Sequence, residues 1–265
     1  MTEMQTIDSG VRTKLPPLPE NTIYVCEVGS TSHGTGKDDM EDLDLAGVVV
    51  ESAEEVLGLG SGMRNLMERT ALDGERSQAG DIDRTLYSLR NFLKLSTAGN
   101  PSILMDFYAP IHFITPEGER LRELAPAFVA RHCIERYRGY MFSQGSAWLG
   151  MKRGHGKRGS AGRQELIDEY GHDSKYMMHC ARLGFQCIEL MTTGALKLPM
   201  EGEPLTWLRG VRYGEVSGEE WWDRCLELDA QMEALQHDES IRPFPDVKAI
   251  EQFSIDVHLE MWTKA

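Results

Sequence analysis

The stretch that decides the fold runs from Val25 to Val50, VCEVGSTSHGTGKDDMEDLDLAGVVV. An apolar run ends at Gly29-Ser30, a polar segment follows, and a second apolar run carries Asp42 and Asp44 at alternate positions. That order reads as strand, loop or short helix, strand. Residues two apart in a strand share a face, so Asp42 and Asp44 project together, while Leu43 and Leu45 are expected to point the other way, into a core.

Two carboxylates held this close repel each other unless a cation sits between them. Magnesium suits the role, because it takes oxygen ligands from one or two carboxylates and completes its shell with phosphates. Two such ions can clamp the attacking and leaving oxygens of a phosphoryl displacement. Gly29 lets backbone approach a triphosphate closely, and the Ser30 hydroxyl and nearby amides can donate to its oxygens. The rival reading is a solvated acidic loop, since Asp38, Asp39, Glu41 and Asp42 make a charge run. The Leu-Asp-Leu alternation leading into Gly47-Val48-Val49-Val50 favours the strand.

Gly-Ser, eleven residues, then Asp-x-Asp followed by an apolar strand resembles the signature of the DNA polymerase beta-like nucleotidyltransferase superfamily. In the form GSTSHG with DLDLAGV it is similar to the predicted nucleotidyltransferases of bacteria and phages. The resemblance implies a small mixed-sheet palm, two magnesium ions with manganese as an alternative, and transfer of a nucleoside monophosphate from a nucleoside triphosphate. It also implies a third carboxylate on a strand beside the Asp-x-Asp strand. DIDRTLYSLRNFLKLSTAGNPS (81–102) resembles the family's strand and its Tyr-x-Leu-Arg helix ending in Gly-Asn-Pro, and by that match Asp83 is the third carboxylate. Asp81, two residues away, is expected on the same face, and either acid can instead cap the helix. Asp106 is the weaker alternative, read as supporting the site rather than binding metal.

The helix SKYMMHCARLGFQCIELMTTG sets Lys175, His179 and Arg182 at i, i+4 and i+7 on one face, with Met178, Ala181, Phe185 and Ile188 on the other side. It resembles the family's Lys-x-x-x-His-x-x-Arg helix, followed by a Leu-Met-Thr-Thr-Gly turn and a Leu-x-Leu-Pro extension at Leu196 to Pro199. The likeness then covers Ile23 to about Pro199.

At 265 residues the chain has room for two domains. The net charge of -14 is uneven: residues 120–163 hold ten Lys or Arg against two acids, and residues 215–260 hold thirteen acids against three Lys or Arg. A basic segment in an acidic protein fits a polyanion such as a triphosphate or a nucleic-acid strand, or a solvated helix face. Its end, MKRGHGKRGSAGR (151–163), is rich in glycine and cannot build a core; it reads as a phosphate-gripping loop or a plain linker. Five cysteines, odd in number and without CxxC spacing, read as reduced core thiols. No apolar run reaches a membrane span, and the N-terminus lacks a signal-peptide core, so a cytoplasmic location is expected.

Residues 1–20 end in KLPPLPE and read as a flexible arm. Ser52 before AEEVL and Ser217 before GEEWW are helix caps, and Gly99-Asn100-Pro101 stops a helix. Met63 to Thr70 is left open between a helical turn and a loop. From Leu121 onward the periodicity is helical, with an Arg-rich helix ending near Phe142.

The expected architecture is therefore α+β: an arm (1–20), a nucleotidyltransferase palm (21–120) and a helical C-terminal domain (121–265), with the site in the cleft between them. Asp42 and Asp44 would bind both metal ions, Asp83 would complete the site, Gly29 and Ser30 would hold the outer phosphates, and Lys175, His179 and Arg182 would meet phosphate. The acceptor is open among a nucleic-acid end reached through residues 120–163, a protein hydroxyl as in nucleotide-transferring toxins and antitoxins, and a small molecule. A rival from another class keeps the fold as a non-catalytic nucleotide-binding subunit. Oligomeric state is not readable from the sequence.

Overall fold

The computed structural model describes residues 14–36, 42–60, 62–71, 77, 80–152 and 164–264, of which 144–152 and 164–165 are described by their backbone alone. The acidic run at Asp38 to Glu41, most of the glycine-rich basic loop and the first thirteen residues lie outside them.

Five strands form one mixed sheet among the described residues. β1 (Thr22–Val28), β2 (Leu43–Val49), β3 (Asn65–Arg69), β4 (Ile82–Ser88) and β5 (Ile111–Ile114) stand in the order β3-β4-β2-β1-β5. The pair β2 and β4 is parallel; the other neighbours are antiparallel. β1 is rich in β-branched and aromatic residues, which fit a pleated, covered surface, and β2 ends in Val48-Val49. Between β1 and β2 lies the short helix α1 (Gly29–His33). Ser52 caps α2 (Ala53–Leu57) through a capping box with Glu55. The segment 63–70 resolves as edge strand β3, neither helix nor loop: its antiparallel pairing with β4 decides what its weak local pattern leaves open.

The palm helices α3 (Leu89–Thr97), α4 (Pro101–Leu104) and α5 (Pro116–Glu123) belong to the core that includes Tyr24, Cys26, Ala46, Val48 and Val50. Ser88 caps α3, accepting from the Asn91 amide, so neither Asp81 nor Asp83 does. The face expectation for β2 is reversed. Ala46, Val48 and Val50 continue the face of Asp42 and Asp44, so the main core lies on the aspartates' side and Leu43 and Leu45 are only half-buried on the other. The same face is packed core along most of the strand and open at its first residues. On the opposite face Arg84 is buried, pairs with Glu68 at 2.6 Å and donates to the Pro16 carbonyl at 2.7 Å. Residues 14–20 are thereby tied to the sheet.

The rest is helical: α6 (His132–Lys152), α7 (Gln164–Tyr170), α8 (Ser174–Thr193), α9 (Gly202–Arg212), α10 (Gly218–Gln236) and α11 (Val247–Lys264). α6 runs well past Phe142, and Ser217 caps α10 as expected. Helices α6, α8 and α10 enclose Tyr137, Cys187 and Trp221, and this core is continuous with that of the palm. The indole of Trp221 donates to the Met177 carbonyl at 2.8 Å.

α11 returns to the palm. His258 Nε2 lies 3.2 Å from the Glu51 carboxylate, both residues being buried, and the Trp262 indole donates to the Glu51 carbonyl at 2.8 Å. Arg120 grips Glu260 in two-pronged fashion, and Lys264 reaches Glu117 at 2.7 Å. Burial raises the Glu51 carboxyl, but hydrogen bonds from His258, Ser88 and the Arg90 amide outweigh it and hold the group below 4.5. Glu51→Ala leaves His258 and the Arg90 amide without their acceptor and is expected to cost about 3 kcal/mol, read by urea denaturation. A depressed folded value means the contribution is fully present above about pH 4.5 and lost as pH falls through it. The stability gap between wild type and Glu51→Ala should therefore close on acidification; a gap independent of pH there would count against the pair.

Candidate active site

Register brings the carboxylates together. In the parallel β2–β4 ladder Asp44 stands directly opposite Asp83, and Asp42, immediately before β2, shares the face of Asp44. One oxygen from each of Asp42, Asp44 and Asp83 lies within 4.8 Å of the others, and all three residues are partly exposed. Among the described residues this is the one group of three His, Cys, Asp or Glu side chains so spaced. An all-oxygen, all-anionic donor set at a strand end suits a hard divalent cation such as magnesium or manganese and not a soft metal.

Gly29 abuts this group. Its φ is +79°, and a Cβ there would stand 2.2 Å from Asp44 Oδ2. The backbone of the β1–α1 turn thus occupies space that any side chain would take from the carboxylate. Ser30 follows as the second residue of α1.

The two alternative acids lie elsewhere. Asp81 is buried and accepts from the Thr70 hydroxyl at 3.0 Å. That hydrogen bond engages its carboxylate with Thr70, and Asp81 is not one of the three carboxylates that come within 4.8 Å of one another. Asp106 is buried, one carboxylate oxygen has no partner among the described residues, and burial pushes its carboxyl well above the usual range. The Tyr24 hydroxyl donates to its backbone carbonyl at 2.5 Å.

Asp83 has neighbours that the sequence does not announce. Arg69, its cross-strand partner on β3, places Nε 3.2 Å from Asp83 Oδ1. The Ser77 hydroxyl donates to Asp83 Oδ2 at 2.7 Å.

The cationic face of α8 meets α1. Arg182 contacts the buried His33 and also donates to His179 Nδ1 at 3.3 Å. Burial, then the charge of Arg182, then His179 drive the His33 imidazolium well below its ordinary range, so the ring is neutral. Arg182 can only donate, so His33 Nε2 accepts and Nδ1 carries the proton. The Gln186 amide, 3.2 Å from Nδ1, must then present its oxygen. The guanidinium is fixed by uncharged groups, its Nε is buried without a hydrogen-bond partner among the described residues, and burial lowers its pKa to about 10. No carboxylate among the described residues offsets its charge. α1 runs from Gly29, against Asp44, to His33, against Arg182, a rise of about 6 Å along the helix. Lys175 lies two turns earlier on α8 and is half-buried. Asp229 and Glu227 are engaged by Arg138 and Arg224.

His33 sits within GSTSHG but carries no spacing signal, and Gln186 is visible only as the residue four after Arg182. In the basic segment, Arg120 is spent on Glu260, Arg122 on the Phe107 carbonyl, Arg136 on the Ala98 carbonyl and Arg138 on Asp229. Those arginines, expected to face a polyanion, hold the protein's own elements together. Lys152 is described by its backbone alone, and Arg153 to Arg163 lie outside the described residues.

Residues 3–210 match the family model of RlaP, the RNA repair pathway DNA polymerase beta family. No curated protein matches the chain. Among solved structures, a nucleotidyltransferase-like protein from Exiguobacterium sibiricum is 11% identical, with 93% of this chain and 75% of that one covered and a TM-score of 0.31.

Gly29→Ala is expected to destabilise the protein by at least ~1 kcal/mol, from strain at positive φ together with the clash on Asp44, and to weaken manganese binding. Denaturation and manganese titration of wild type and variant check both effects; a variant with wild-type values in each would show the contact to be dispensable.

Proposed function

As the chain belongs to the RNA repair pathway DNA polymerase beta family, we propose that it is a metal-dependent nucleotidyltransferase that moves a nucleoside monophosphate from a nucleoside triphosphate to the hydroxyl end of an RNA. The observation that carries the reading is the cluster of Asp42, Asp44 and Asp83 within 4.8 Å, against which the Gly29 turn is packed. The family's description supports RNA over the other acceptors.

In this reading the palm, residues 21–120, supplies the carboxylates, and the helical part from 121 onward supplies α8. Asp42 and Asp44 would hold the metal ions, and Asp83 would complete the site and help activate the acceptor hydroxyl by taking up its proton as the oxygen bonds to the α-phosphorus and pyrophosphate leaves. Magnesium or manganese bound there would neutralise the triphosphate and polarise the acceptor oxygen. Gly29 and Ser30 hold the outer phosphates through backbone and hydroxyl donors. Arg182, fixed by neutral His33 and with no carboxylate partner among the described residues, offers a preorganised charge to the phosphates, with His179 beside it and Lys175 further along the helix. Positioning and charge neutralisation do most of the work in such a transfer.

Asp44→Asn is expected to reduce transfer by at least about a thousandfold, on the scale of losing preorganised electrostatic stabilisation, while the fold persists. The assay incubates the protein with each labelled triphosphate, magnesium or manganese, and a panel of RNA, DNA, protein and small-molecule acceptors. Label on RNA in wild type alone supports the proposal. Label on a protein or small molecule redirects the acceptor, equal transfer by Asp44→Asn ends the metal-dependent reading, and no transfer by wild type leaves a nucleotide-binding subunit.

A further inference from the structure

Arg69 closes the edge strand β3 and stands directly across from Asp83. Its Nε lies 3.2 Å from Asp83 Oδ1, and its Nη2 donates to the Ser77 hydroxyl at 2.7 Å, which in turn donates to Asp83 Oδ2 at 2.7 Å. Both oxygens of a carboxylate shared with Asp42 and Asp44 are therefore engaged from the β3 side, one by a full positive charge. The Arg69 side chain is 38% exposed and that of Asp83 29%, so the guanidinium can leave the carboxylate for solvent while Ser77 keeps a second hold on it.

We propose that Arg69 is a built-in counter-cation of the carboxylate cluster. It competes with the divalent ion for Asp83 and so sets the metal concentration at which the site fills, an inference that rests on the metal-dependent reading above. The physical case is one of charge. Three carboxylates with oxygens within 4.8 Å concentrate like charge and repel one another, and a guanidinium in hydrogen-bond contact relieves part of that repulsion. A divalent cation relieves the same repulsion, and Arg69 is a like charge beside it. A residue that merely oriented Asp83 for the metal, as outer-shell partners do, would act in the opposite direction: removing it would loosen the ligand and weaken binding. The two roles differ in sign.

The test measures manganese binding to the full chain by the electron paramagnetic resonance signal of free Mn2+, in wild type, Arg69→Gln, Arg69→Lys, Asp83→Asn and the double variant Arg69→Gln with Asp83→Asn. Arg69→Gln should bind Mn2+ about fivefold more tightly, the effect of removing a half-exposed ion pair, and Arg69→Lys should stay near wild type. The gain should vanish on the Asp83→Asn background and shrink at high salt. Melting in a chelator should be lower for Arg69→Gln than for wild type, with a larger rise on adding Mn2+. Unchanged or weaker binding by Arg69→Gln, with Asp83→Asn clearly impaired, overturns the proposal and leaves the metal site standing. Asp83→Asn binding as tightly as wild type, or no binding by wild type, overturns the metal reading and this inference with it.

Discussion

The in-register parallel pairing of β2 with β4 places Asp44 opposite Asp83, and the surrounding structure is shaped by the negative charge this concentrates. Asp42 adds a third carboxylate on the same side, and none of the three is deeply buried. Such a group is tolerable at a strand end and not at its middle. Two residues beyond Asp44 the same face becomes Ala46, Val48 and Val50, sealed into the core, where unpaired charge would be costly. The backbone of the β1–α1 turn comes close to Asp44 because Gly29 has no side chain, and β3 supplies Arg69 from the other side.

A second constraint joins the helical region to this end of the sheet. His33 lies in the loop that begins at Gly29, and its two ring nitrogens meet Arg182 and Gln186 of α8. The imidazole is neutral because burial and the adjacent guanidinium oppose its charge. An aspartate in its place would also anchor Arg182 but would cancel its charge; a neutral acceptor anchors it and leaves the charge. The α1 loop is further held by the segment after α8, where the Met200 amide donates to the His33 carbonyl at 3.2 Å and Arg209 to the Gly34 carbonyl at 2.9 Å.

The family match ends at residue 210, yet α11 is bound to the palm through Glu51, Glu117 and Arg120. Glu51 directly follows the β2 segment and accepts from the first turn of α3, so the last helix braces the two palm elements that flank β4. The acidic excess of residues 215–260 is partly consumed by these contacts and by Arg138 and Arg224. Of the basic segment, Arg120 and Arg138 are spent on those acids. Charge clusters that look like opposing surfaces when read along the chain are in part the two halves of internal ion pairs.

The sequence by itself determined what depends on near neighbours. Alternation over Asp42 to Val50 fixed a strand with paired carboxylates, Ser52 and Ser217 announced their helices through capping, and the spacing of His179 and Arg182 put them on one face of α8. Together with GSTSHG these features were enough to point to the superfamily. Tertiary structure decided whatever depends on residues far apart in the chain. Alternation could not choose between Asp81 and Asp83, because it treats both alike; the register that sets Asp83 opposite Asp44, and Thr70 bonded to buried Asp81, does. The same pairing made a strand of Asn65 to Arg69, whose composition is ambiguous, and brought Arg69 to Asp83. His33 meets α8 across about 150 residues of chain, and no periodicity encodes a contact that long, because side-chain spacing records which face a residue occupies and packing alone chooses what that face will touch.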